Sequence, residues 1–229
     1  MIILALDTTT RGGSVAVLRD GHVVYEAAGD PAVTHGQRLP ADLMRALEAA
    51  SSRIEDVELF AVAAGPGSFT GLRVGIATVQ GLAAARQRRV VPVSVLDALA
   101  CHVSTHTVPV AAWVDAQHGQ VFAALYDSDG RSQMAPPTAL TPEETLAAWR
   151  HLALPGGIQF VGDGAVRYAA DIARAAAAAP RIVPPPLLAG PIGRMAAAAP
   201  HAAVPPHAVV PLYVRRPDAE LARARQPTK

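Results

Sequence analysis

The chain has 229 residues, half of them apolar, and its 20 Lys and Arg nearly balance 19 Asp and Glu for a net charge of +1. That balance argues against a protein held to nucleic acid by its overall field, and no apolar run reaches the length of about eighteen residues that a membrane-spanning helix needs. A single cysteine, Cys101, leaves no internal disulfide and fits a reducing cytoplasm, while the sole lysine, Lys229, removes Walker A and Schiff-base lysines from consideration.

The opening MIILALD lacks a basic n-region and reads as a first strand rather than a signal peptide. Strands at 14–18 and 22–28 follow, joined by the turn at 8–13 and by Asp20-Gly21, a hairpin signal. A loop through Pro31 and Gly36 leads to a helix near 39–50, with Leu39, Leu43, Ala46, Leu47 and Ala50 on one face. The stretch 57–63 (VELFAVA) is a buried strand, broken by Gly65-Pro66-Gly67, and Ser68 is placed to cap a helix running to about residue 86. A strand at 90–93 and a helix over 95–104 capped by Ser94 close the first half. The order β-β-β-α-β-α-β-α is that of an RNase H-like domain, the unit repeated twice in actin-like and Hsp70-like (ASKHA) α/β proteins.

The second half, 107–229 against 1–106, starts again with strands at 108–114 and 120–126 around the turn Asp115-Ala116-Gln117-His118-Gly119. Thr141-Pro142-Glu143-Glu144 opens a helix with an N-cap, a proline at the first position and two acids at the positive dipole end. A short strand at 158–161, a turn at Gly162-Asp163-Gly164, an alanine-rich helix over 165–179, a Pro184-Pro185-Pro186 spacer and a helix over 187–199 complete it. This half is expected to be a shortened copy of the first, without a clear third strand.

The helix after Ser68 is apolar nearly all round. Leu72, Ile76, Val79 and Ala83 form one flank, Gly71, Gly75, Thr78 and Leu82 a second face of small residues, and Arg73, Gln80 and Gln87 a polar line. Each interior glycine costs roughly 1 kcal/mol relative to alanine. Close approach of another backbone would offset the cost of Gly71, Gly75 and Gly81, and that backbone belongs either to the same chain or to a second subunit.

Asp7 ends the first strand and precedes Thr8, Thr9 and Gly12, the pattern of a phosphate-holding hairpin in actin-like proteins; Asp115 is its counterpart, and Gly162 opens a turn suited to the adenosine side. The competing reading is an aspartate that caps its own turn. A metal-dependent nuclease of this fold needs a carboxylate at the end of the 57–63 strand, where Ala63-Ala64-Gly65 stand. His102 and His106 have the i, i+4 spacing of a metal pair, but Val103 replaces the glutamate and no third ligand is evident. Ser68 lies outside a Gly-x-Ser-x-Gly elbow, Cys101 reads as a small core residue, and Arg215, Arg216, Arg223, Arg225 and Lys229 make a basic tail, ordinarily a solvated end, that touches nucleic-acid phosphate at most as a minor contributor. No catalytic, metal or cofactor site is expected.

AGPGSFTGLRVG at 64–75, with the opening ILALDTTT, VPVSVLDALA at 91–100, DAQHGQVF at 115–122 and PLYVRRPDAE near the end, resembles the TsaB (YeaZ) family. The resemblance implies a non-catalytic subunit of the bacterial machinery that makes threonylcarbamoyladenosine in tRNA. Its partners would be a TsaD-like catalytic paralogue and a TsaE-like ATPase, with a possible homodimer, tRNA contacted only indirectly, and no membrane. In the TsaD family the matching helix carries a His-x-x-x-His metal pair; here Val95 and Leu99 occupy those places. The resemblance also implies that the first-domain helices form the partner interface: Leu43, Leu47, Phe69, Gly71, Leu72, Gly75, Thr78, Val79 and Leu82. On that assignment Gly75→Arg leaves the fold intact and abolishes partner binding. The alternatives are a free-standing actin-like ATPase or phosphotransferase, and a peptidase, the latter disfavoured by the missing histidine pair and nucleophile.

Overall fold

The computed structural model describes residues 1–103, 107–152, 154, 156–175 and 180–215. The strands β1 (Ile2–Asp7), β2 (Ser14–Arg19) and β3 (His22–Ala28) form an antiparallel meander. Helix α1 (His35–Ala49), strand β4 (Leu59–Gly65), helix α2 (Phe69–Ala85), strand β5 (Arg89–Ser94) and helix α3 (Val95–Val103) follow. β4 pairs parallel to β1 and β5 pairs parallel to β4, giving the sheet order β3-β2-β1-β4-β5. β4 is buried along its whole length, which is why its sequence is a continuous apolar run rather than an alternation.

The second half repeats the plan with β6 (Val110–Asp115), β7 (Val121–Tyr126), β8 (Gln133–Leu140), α4 (Pro142–Trp149), β9 (Gln159–Val161), α5 (Asp163–Arg167), α6 (Ala169–Ala175), β10 (Arg181–Val183) and α7 (Ala189–Ala198). Its sheet order, β10-β9-β6-β7-β8, is the first sheet's order read from the other edge. The third strand that the sequence reading leaves out is therefore present as β8. Pro136 and Pro137 disguise it; they are tolerated because β8 is an edge strand, where a missing N–H breaks no ladder. The shortening lies in the three-residue strands β9 and β10.

The expected helix over 165–179 is two helices, because the chain leaves helical geometry at Tyr168 (φ −104°, ψ 27°); positions 176–179 lie outside the described residues. α1 begins four residues before the expected 39, where Thr34 Oγ1 donates to Gln37 Oε1 at 2.7 Å.

Alternating residues of the first sheet face opposite ways. Leu4, Leu6, Val17, Phe60 and Val62 meet Leu39, Leu43 and Leu47 of α1 and Ile76, Val79 and Ala83 of α2. On the other face, Ile3, Ala5, Leu18 and Ala63 join Leu96 and Leu99 of α3, Ile192 and Ala196 of α7, and Val110, Ala112 and Val114 of the second sheet in one core. α7, last in sequence, thus packs on the first sheet. Its first turn is capped from β2 and β3: Ser14 Oγ accepts from Leu188 N (3.2 Å) and Ala189 N (2.9 Å), and Glu26 Oε1 accepts from Gly190 N (2.6 Å). A third core surrounds Trp113, whose ring meets Phe160 edge-on at 5.4 Å.

Candidate functional site

Two features stand at the carboxyl ends of the strands, where open α/β sheets place their ligand crevice: the turn between β1 and β2, and the amino end of α2. In the turn, Asp7 is buried and its Oδ1 accepts from Thr9 N (2.8 Å) and Thr9 Oγ1 (2.5 Å). Gly13 N donates to Thr10 Oγ1 (3.0 Å), Ser68 N to Thr9 O (3.0 Å), and Thr8 Oγ1 to Gly71 O (2.8 Å). From α1, the buried Arg38 guanidinium donates to Gly12 O, pairs with Asp42 and donates to His35 Nδ1 at 2.7 Å, while His35 Nε2 donates to Thr10 O at 3.0 Å. Burial pushes the Asp7 carboxyl up; the two Thr9 bonds and nearby Arg38 oppose that shift.

In the second half, Asp115 accepts from Gln117 N (3.1 Å), Gln117 Nε2 (2.9 Å) and Arg167 Nη1 (3.0 Å). Asp163 Oδ1 accepts from Asp115 N (3.1 Å) and Gly164 N (2.8 Å), and burial raises its carboxyl too. The like charge of Asp163 adds to the upward push on the Asp7 carboxyl. Gly162-Asp163-Gly164, the adenosine-side candidate of the sequence reading, follows β9. It opens α5, and Gly162 is a glycine because its φ is +118° and a side chain there would strike the Trp113 carbonyl.

The nucleotide candidates Asp7, Thr8, Thr9, Gly12 and Asp115 thus sit at strand ends as expected, with the Thr9 and Gly13 amides and the Thr8 and Thr9 hydroxyls engaged inside the chain. Among the described residues no three His, Cys, Asp or Glu side chains come together to hold a metal ion. His106 and the basic tail from Arg216 to Lys229 lie outside the described residues.

α2 is capped as the sequence predicts, Ser68 Oγ accepting from Gly71 N at 3.2 Å. Its small face, however, has an occupant within the chain. A Cβ at Gly71 would overlap the Thr8 carbonyl, and one at Gly75 would overlap Thr8 Oγ1 and lie 3.2 Å from Thr8 Cβ. The close approach that the glycines permit is the β1–β2 turn itself. Leu43, Leu47, Leu72 and Val79 are likewise buried in the chain's own core. Of the nine interface positions only Phe69, Thr78 and Leu82 keep exposed surface, and Gly75→Arg would break the fold rather than spare it.

The surface that α2 does present is one residue stripe round: Thr70, Arg73, Ala77, Gly81 and Ala84 are exposed at helical spacing. A Cβ at Gly81 would meet nothing within 4 Å. Alongside, α1 exposes Ala41 and Met44, the latter 65% accessible. Sequence reasoning did not single out Ala77, Gly81 and Met44 as surface, because the faces it drew on α2 ran through Gly71, Gly75, Thr78 and Leu82 and through Leu72, Ile76, Val79 and Ala83. Of the polar line, Arg73 stacks on Phe69 at 3.8 Å, and Gln80 Nε2 donates to Pro206 O and Val209 O (3.0 and 3.1 Å).

Two five-stranded mixed sheets of one order, joined through a shared apolar core with acids at facing strand ends, define a protein of the actin-like class with two RNase H-like halves. The activator of 2-hydroxyisocaproyl-CoA dehydratase from Clostridium difficile shares this fold (TM-score 0.52, 13% identity, 88% of this chain and 96% of that one). YeaZ from Pseudomonas aeruginosa is far more similar, with TM-score 0.72, 29% identity and coverage of 93% of this chain and 99% of that one. The family model described as TsaD, tRNA N6-adenosine threonylcarbamoyltransferase, matches residues 30–181. The tRNA threonylcarbamoyladenosine biosynthesis protein TsaB of Escherichia coli is 36% identical over 131 residues, 56% of each chain. The chain belongs to the TsaB (YeaZ) family. It spans about half the length of the curated relatives it matches, 56%, 55% and 52% for the first three. Among the described residues no helix is long and apolar enough to cross a membrane.

Proposed function

We propose that the chain is a non-catalytic scaffold subunit, cytoplasmic, that pairs with a TsaD-like catalytic paralogue in a complex also containing a TsaE-like ATPase. The complex transfers a threonylcarbamoyl group to the adenosine beside the anticodon of ANN-decoding tRNAs. The observation that carries this reading is Gly81. Gly71 and Gly75 are accounted for by Thr8, whereas Gly81 sits in the middle of an exposed helical stripe with open space before it. A glycine there costs roughly 1 kcal/mol against alanine with no intramolecular return, which supports a backbone from another subunit approaching Ala77, Gly81 and Ala84. Phe69, Thr78 and Leu82 flank that stripe on α2. A homodimer through the same face is the expected state when the paralogue is absent.

The non-catalytic assignment is supported by α3. The places where the TsaD resemblance puts two metal-binding histidines hold Val95 and Leu99, each 1% accessible and packed in the core shared by the halves. These residues do not fit a metal, and no step is assigned to one. The test is co-purification of the chain with a TsaD-like paralogue. Ala77→Arg, whose side chain projects into open solvent, is expected to fold normally and lose the complex. A complex formed at wild-type affinity by Ala77→Arg and by Gly81→Arg would sink the assignment of this face.

A further inference from the structure

The chain after α7 does not trail away from the molecule. Val204 pairs with Val90 at the edge of the first sheet, its N–H donating to Val90 O at 2.8 Å, and Gln80 of α2 then holds the carbonyls of Pro206 and Val209. From there the segment turns over the carboxyl end of β4: Leu212 N donates to Ala64 O at 2.6 Å. Gly65 receives it, with φ +118° and no room for a side chain, since a Cβ would lie 2.7 Å from Leu212 O. The next residue lies against α2, Tyr213 accepting from Arg73 Nε at 3.2 Å through its hydroxyl and meeting Phe69 ring to ring at 5.7 Å.

Then the segment crosses to the other half. Val214 packs on the core shared by both halves. Arg215 Nη1 donates to Gln120 Oε1 at 2.6 Å, and its guanidinium lies 5.9 Å from the Phe122 ring centre. Gln120 closes the β6–β7 turn, where its N–H donates to Gln117 O and its carbonyl accepts from Ala116 N (both 3.0 Å). Four consecutive residues therefore tie β4 and α2 of the first half to the turn that carries Asp115 in the second.

We propose that residues 212–215 are a clasp that fixes the angle between the two halves at the open end of their cleft. The shared core of α3 and α7 already joins the halves, and this segment adds a link between the carboxyl end of β4 and the β6–β7 turn. Its place at the carboxyl end of β4 is where an open α/β sheet ordinarily receives a ligand, so the chain holds this end with its own backbone. The clasp meets α2 at Phe69 and Arg73, one end of the exposed stripe, whereas the partner face proposed above is centred on Ala77 and Gly81.

A clasp transmits and a passive strap does not, so the test is cross-effect. Amide hydrogen exchange is followed in the full chain, in Leu212→Pro, which deletes the N–H given to Ala64, and in Arg215→Ala, which deletes the contact with Gln120. Leu212→Pro perturbs only the first-half end, yet exchange at Gln117 and Gln120 in the second half is expected to rise about tenfold, the scale of one lost hydrogen bond. Arg215→Ala is expected to do the same at Thr9 and Gly13, while the β1–β2 ladder amides keep their protection. Changes confined to each variant's own half, or no change, would overturn the proposal. Should Leu212→Pro unfold, Arg215→Ala decides alone, since it removes a partly exposed side chain and no backbone bond.

Discussion

Gly75→Ala separates an intramolecular use of the small face from an intermolecular one. The added methyl would overlap Thr8 Oγ1 and stand 3.2 Å from both Thr8 Cβ and Thr8 Cγ2, in a site where Thr8 is fully buried. Overpacking of one methyl costs about 1–3 kcal/mol. Displacing Thr8 Oγ1 from Gly71 O, a bond of 2.8 Å, adds about 1–2 kcal/mol for a buried polar pair left unmade. Alanine's better helix propensity returns about 1 kcal/mol. The net expectation is a loss of about 1–4 kcal/mol, whose midpoint corresponds to about 5–10 °C in Tm for a chain of this size. Thermal unfolding by circular dichroism measures it. Thr8→Ala removes the hydroxyl that the methyl strikes, so the double variant is expected to recover at least about 1 kcal/mol of the summed single losses. A Gly75→Ala protein as stable as the wild type would refute the packing argument and return Gly75 to the surface available to a partner.

Gly81→Ala is expected to act oppositely, raising the stability of the isolated chain by about 1 kcal/mol, because nothing stands within reach of its Cβ; chemical denaturation checks it. Asp7 carries a raised pKa through burial. Between the ordinary aspartate range and that raised value the folded chain keeps a proton that the unfolded chain has lost, so stability falls as pH rises through the window. Asp7→Asn, which keeps an acceptor for Thr9, is expected to flatten this slope in a Tm-versus-pH series, leaving the contributions of Asp163 and Glu26, whose carboxyls burial also raises; an unchanged slope would contradict it. Ser14→Ala is expected to cost about 1–2 kcal/mol, since Leu188 N and Ala189 N lose their shared acceptor at the buried start of α7.

Much of the first half was legible because each element carries its own signal. The hairpin turn Asp20-Gly21 and the Ser68 cap, and in the second half the Thr141 N-cap, are local chemistry, and all appear where the residues put them. What escaped was either masked by proline or non-local. β8 reads as a loop because two prolines interrupt it, and only its edge position makes them tolerable. The small face of α2 was recognised as a close-approach surface, but periodicity shows which residues share a face and not what covers them. Thr8, sixty-three residues away in sequence from Gly71, is the cover. The residues left outside, Ala77 and Gly81, could have been separated only by knowing that β1 ends beneath Gly71 and Gly75. The same limit applies to the acids: Asp7 was placed at its strand end, while the like charge of Asp163 that acts on it depends on how the halves meet.

The scaffold reading is tested most directly by mass spectrometry of nucleosides from the tRNA of cells depleted of this protein. The account predicts that threonylcarbamoyladenosine is lost, that the wild-type chain restores it, and that Ala77→Arg does not. Unchanged levels of the modification after depletion would contradict the account and leave a free-standing actin-like ATPase as the reading to pursue.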